Sequence, residues 1–129
     1  MSKLKCNCGH VIADQINNLP YRADYLPDNS SEDFSADIVK IIKTFNEAKD
    51  NGQKENWINE NFTVPPYPTD LPDQEMIWDL IHNSFREKTG TIYQCDSCGR
   101  IWIQRGHTDN FISFKPETKD WQGILNKTQ

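Results

Sequence analysis

The run Cys95-Asp96-Ser97-Cys98-Gly99-Arg100-Ile101-Trp102-Ile103-Gln104 sets two thiols three positions apart, follows them with glycine, and then alternates with β-branched residues. A redox C-x-x-C normally opens a helix, whose N-terminus lowers the thiol pKa. Here the residues after Cys98 have the period of a strand, so the pair reads as a metal loop that enters a β-hairpin. A second cluster, Cys6-Asn7-Cys8-Gly9-His10, lies near the other end, and the two clusters hold all 4 cysteines of the chain. In each, glycine follows the second thiol. A loop wrapped around a metal turns tightly enough to need positive φ there, which glycine adopts at little cost. Four thiolates suit a tetrahedral zinc ion, so Cys6, Cys8, Cys95 and Cys98 are read as a closed structural site. The C-x-C spacing is tighter than the usual C-x-x-C, and His10, two residues beyond Cys8, is the alternative fourth ligand. Iron is chemically compatible with the same four sulfurs. Ordinary buried cysteines are the plain alternative, and a disulfide framework would need an oxidising compartment to which nothing in the sequence points.

Outward from the second cluster, Thr91-Ile92-Tyr93-Gln94 reads as a strand entering Cys95, Arg100 to Gln104 as its return, and Phe111-Ile112-Ser113-Phe114 as a third strand after a polar turn. Around the first cluster, residues 3–13 read as strand, metal loop and short strand ending at Val11-Ile12. Leu19 to Pro27 is bracketed by prolines and reads as an extended segment on the core. Tyr21 and Tyr25 are expected to cap that core with their hydroxyls in water, with a partner-facing role as the alternative. Phe34, Ile38, Ile41, Phe45 and Ala48 recur at helical spacing and predict a helix over 32–50, with Ser30 and Asp33 as a capping box and Asn51-Gly52 as its stop. Trp57, Ile58 and Phe62 suit a short helix or turn. Four prolines within Thr63 to Pro72 favour a stiff connector. A second helix over 72–88 buries Met76, Ile77, Leu80, Ile81 and Phe85, with Trp78 at the edge of that face as either core residue or exposed anchor. The tail with Trp121, Ile124 and Leu125 is weakly patterned and suits a short helix packed back.

A length of 129 residues suggests one domain. Hydrophobic content of 36% and a mean hydropathy of −0.79 leave a modest core that a metal would help to hold. Met1-Ser2-Lys3-Leu4-Lys5 has no apolar run behind its lysines, and no stretch approaches the roughly 18 apolar residues of a membrane span, so the expectation is a cytoplasmic protein with reduced thiols. The net charge of −5 is uneven: residues 1–12 carry +2, residues 13–79 carry −9 and residues 80–129 carry +2.

The two cysteine loops, with the strands around them, resemble a zinc ribbon with rubredoxin-like metal loops over about residues 3–13 and 91–115. The Cys-Gly-His…Leu-Pro-Tyr opening and the Tyr-Gln-Cys-x-x-Cys-Gly-Arg-Ile-Trp-Ile close are also similar to small bacterial proteins of that kind. The resemblance implies an α+β fold: a three-stranded antiparallel sheet with metal on Cys6, Cys8, Cys95 and Cys98. The chain departs from it in the C-x-C loop and in the 86 residues between the loops, where residues 14–90 would be an acidic two-helix insertion.

Three functions compete. A non-enzymatic protein-binding module would use the acidic middle to attract a basic protein partner; bacterial immunity proteins that neutralise toxins are of similar size and charge, as are regulatory proteins. Nucleic-acid binding, common among zinc ribbons, would draw on Arg100, Arg105, Lys115 and Trp102, but a pI near 5.1 argues against it. For an enzyme, no P-loop, G-x-S-x-G or H-E-x-x-H occurs, His10, His82 and His107 form no motif, and a four-cysteine zinc leaves no place for water. The reading adopted is a zinc-binding, non-catalytic protein that acts on another protein, with no membrane role.

Overall fold

A computed structural model describes residues 3–62, 68 and 70–127. Most of the expected proline-rich connector, residues 63–67 and 69, lies outside the described residues. The chain divides into two compact units, one made of Met1–Leu26 with Thr89–Gln129 and the other of Pro27–Lys88.

The discontinuous unit holds the strands. β1 (Lys3–Lys5) and β2 (Val11–Ala13) form an antiparallel hairpin with Leu4 opposite Ile12. β3 (Arg22–Tyr25), β4 (Gly90–Gln94), β5 (Ile101–Gln104) and β6 (Phe111–Phe114) form a separate four-stranded antiparallel sheet in the order β3-β4-β5-β6. The expected three-stranded zinc-ribbon sheet is therefore corrected: the first cysteine loop sits on its own hairpin, and the main sheet gains a strand. The gained strand is Arg22-Ala23-Asp24-Tyr25, which pairs with Tyr93 to Gly90. It is too short, and too bracketed by prolines, to declare itself alone. Its backbone groups are satisfied by β4, whose sequence arrives more than sixty residues later. The α+β class stands.

Side chains on a strand alternate faces, and the register sorts them. Tyr93, Trp102 and Phe111 share the face that meets the hairpin, where Cys6, Ile12, Tyr93 and Cys95 form the buried centre. Tyrosine hydroxyls complete this core. Tyr21 donates to the Ala13 carbonyl, Tyr93 to the Asp14 carboxylate and Tyr25 to the Gln104 carbonyl. Tyr21 and Tyr25 thus spend their hydroxyls on protein carbonyls, not on water as expected. The Tyr25 ring lies over Gly90, in space that any Cβ there would fill.

The contiguous unit is helical: α1 (Asp28–Asp50), α2 (Lys54–Asn61) and α3 (Asp73–Lys88). Among the described residues the helices number three, where the insertion was expected to carry two, because Trp57 and Ile58 lie on a full helix that buries both. Phe45, Trp57, Ile58, Met76 and Leu80 make its core, with Ile41, Ala48, Phe62 and Ile77 against them. The Phe45 and Trp57 rings meet edge to face at 5.0 Å, and Trp57 Nε1 donates to Thr44 Oγ1 at 3.0 Å. α1 starts earlier than the periodicity predicts. Pro27 stands at its N-cap, and the expected Ser30–Asp33 capping box makes no cap hydrogen bond; the Ser30 amide bonds the Pro27 carbonyl instead. Proline's fixed φ suits this position, so the turn forms without a side-chain cap. Among the described residues no helix is long and apolar enough to cross a membrane.

Candidate metal centre

Each cysteine pair sits on a loop closed by two backbone hydrogen bonds, and the two closures correspond. In the first, the Cys6 amide donates to the His10 carbonyl at 2.8 Å and the Gly9 amide to the Cys6 carbonyl at 2.9 Å. In the second, the Cys95 amide donates to the Arg100 carbonyl and the Gly99 amide to the Cys95 carbonyl, both at 2.9 Å. The C-x-C loop is the C-x-x-C loop with one residue removed from its turn, so the tight spacing costs nothing in closure. Both glycines carry positive φ, +99° at Gly9 and +81° at Gly99, as their place after the second thiol predicts.

These loops bring the four sulfurs together. The Sγ atoms of Cys6, Cys8, Cys95 and Cys98 all lie within 4.8 Å of one another, with Cys6 to Cys98 at 3.5 Å and Cys8 to Cys95 at 3.6 Å. A tetrahedron with metal–sulfur bonds of about 2.3 Å has sulfur–sulfur edges of about 3.8 Å, so this set can hold a metal ion. All four cysteines are free thiols. His10 is exposed and stands outside the cluster; what it lends the loop is backbone, its carbonyl to Cys6.

Electrostatics divides the four. Burial works to push the Cys6 thiol up, but the Cys8 amide, the Trp102 indole and the neighbouring thiols outweigh it and bring Cys6 down to about 6. The indole Nε1 is buried and lies outside strict hydrogen-bond geometry, so it acts on Cys6 as a neutral N–H dipole. The His10 amide pulls the Cys8 thiol down. Burial pushes Cys95 up to about 12. Four thiols this close cannot all ionise on their own, and a divalent cation is the group that would let them. Arg100 Nη1 donates to Cys98 Sγ at 3.2 Å, and the sulfurs hold that guanidinium firmly charged.

Arg100 and Trp102, whose residue types suit phosphate contact and base stacking, are turned to the sulfurs and the core. Their place beside the second cysteine loop follows from long-range pairing: Trp102 faces the core from β5, and Arg100 stands just before β5, where its backbone closes the loop. The tail was also misread. Trp121 lies in a run of turns, not a helix; its ring covers Gly99, and its carbonyl accepts from Gln94 Nε2 at 2.7 Å. His107 Nε2 meets the Thr89 carbonyl at 3.1 Å, and His82 is exposed on α3 against Trp78. The three histidines form no common site.

A family model described as a domain of unknown function, DUF8617, matches residues 2–118. Comparison with curated proteins and with solved structures finds no match. The loops, sheet and helices described above all fall inside the matched span, and the chain belongs to the DUF8617 family.

Proposed function

We propose that this is a non-enzymatic protein-binding module, with a zinc ion on Cys6, Cys8, Cys95 and Cys98 as structural staple and the helical unit as its docking surface for a basic protein. Trp78 carries the reading. It projects from α3 with 59% of its surface exposed and stacks on His82 at 3.6 Å, beside an open hollow lined by Gln74, Glu75 and Asp79. An exposed tryptophan among carboxylates is suited to hold a lysine or arginine side chain by cation–π contact and charge, and tryptophan and arginine dominate binding hot spots. The surrounding field favours the same partner: residues 27–88 contain 13 acids and 6 bases, a net −7. Such a field speeds encounter with a basic surface. A toxin-neutralising or regulatory role in a bacterial cytoplasm fits this surface, and the two Cys-Gly loops, zinc-ribbon-like in closure, fit a metal that holds the fold. Four thiolates would leave that metal no position for water, which supports binding over catalysis.

The test begins with protein captured from native lysate with and without nuclease. A stoichiometric, nuclease-resistant protein partner is expected, with association that slows as salt rises. Trp78→Ala should weaken that complex by about 2 kcal/mol or more. Loss of all partners on nuclease treatment, or an association rate indifferent to ionic strength, would overturn the reading.

A further inference from the structure

The four sulfurs of the metal centre are unequally screened. Cys6 and Cys95 are 2% and 0% exposed. Cys98 is half-buried and carries the Arg100 guanidinium at 3.2 Å. The Trp102 ring packs against the cluster that contains Cys6, with Nε1 buried. Cys8 alone of the four is exposed, in the turn of the short loop, with Cys95 Sγ at 3.6 Å and, among the described residues, no charged donor on it. A thiolate's attack on an electrophile depends on access, and a charged donor on the sulfur ties up the electron pair that would attack. Arg100 blocks Cys98 in this way, and burial blocks Cys6 and Cys95.

We infer that Cys8 is the modification site of this centre, the sulfur through which thiol-directed electrophiles enter, and that Arg100 screens Cys98 from the same attack. The inference rests on the metal reading of the four-cysteine cluster. With a maleimide, the step is addition. The Cys8 sulfur forms a carbon–sulfur bond to one alkene carbon, the π pair takes a proton from water at the other, and the metal loses one of its four thiolate donors. Opening the centre therefore begins at the first loop.

The experiment uses the full chain as purified with its metal, counted by elemental analysis. It is treated with less than one equivalent of N-ethylmaleimide, and the adducts are located by peptide mass spectrometry. Metal release is followed in parallel with a chromogenic chelator. The first adduct is expected on Cys8, with metal release keeping pace. Arg100→Met should add Cys98 to the early adducts and speed metal release several-fold, while Arg100→Lys, which keeps a donor and a charge, should restore much of the protection. A first adduct on Cys6, Cys95 or Cys98, or an even spread over all four, overturns the assignment of Cys8 whether or not the variants fold. An adduct pattern unchanged in Arg100→Met overturns the screening role. Protein that carries no stoichiometric metal removes the centre and the inference with it, an outcome distinct from metal-loaded protein that reacts elsewhere.

Discussion

Gly9 and Gly99 occupy the same place in the two cysteine loops, yet their surroundings differ. Both carry a φ that an L side chain adopts at a cost of about 1–2 kcal/mol. Around Gly9 a Cβ would meet open space, whereas at Gly99 it would run into the Trp121 ring. Gly9→Ala should therefore lower stability by about that strain alone. Gly99→Ala should cost more and displace Trp121, visible as a red shift in tryptophan emission. Equal losses for the two, with emission unchanged, would mean that Trp121 does not rest on the second loop as described. The glycines were legible from the sequence because a tight turn around a metal needs them; the tryptophan was not, since its partner lies more than twenty residues away with no periodicity to announce it. Arg100 was legible as a cation, but its contact with Cys98 Sγ appears only once the second cysteine loop has closed on its own backbone.

Between elements, one carboxylate joins all three helices of the contiguous unit. Asp73, the first residue of α3, receives Lys49 Nζ from the last turn of α1 at 2.6 Å and Lys54 Nζ from the first turn of α2 at 2.7 Å. These hydrogen bonds, Lys49 first and Lys54 next, hold its carboxyl below the ordinary value. A depressed carboxylate stabilises the fold above the unfolded pKa of about 3.9, and that contribution disappears as pH falls through the folded value. Asp73→Asn should lower the unfolding midpoint of the helices at neutral pH. The gap to the natural chain should close below about pH 4 and narrow in salt, since the pairs are partly exposed. A gap that persists at low pH would trace the loss to something other than charge. At this scale the sequence was most informative where a pattern is long. The apolar stripes of α1 and α3 and the strands on either side of Cys95 lie close to where their periods put them. It was least informative for β3 and α2, whose short runs of mixed residues are decided by partners far along the chain. That gap is why a ribbon of three strands with two helices was expected where the described residues form a four-stranded sheet, a hairpin and three helices.

For the whole molecule, the sulfur cluster closes a loop of 86 residues between Cys8 and Cys95. Cross-linking a loop of that size restricts the unfolded chain by about 4–5 kcal/mol in the chain-entropy account developed for disulfides, and a metal bound only by the native arrangement acts in the same direction. Stripping the metal should therefore expose residues 3–13, whose own sheet has two strands of three residues each. Limited proteolysis in chelator should cut first within that hairpin, and added zinc should protect it. Protection that survives complete metal removal would show that the Ile12 and Tyr93 core holds the hairpin unaided. The division into a contiguous and a discontinuous unit also fixes an order of events while the chain is being made. Cys6 and Cys8 leave the ribosome 87 or more residues ahead of their partners, an interval of about 4–17 seconds at 5–20 residues per second. The helical unit completes its sequence at Lys88, within that interval and before β4 to β6 exist, so the first pair of thiols must wait, reduced and unpaired, until Cys95 and Cys98 have been translated.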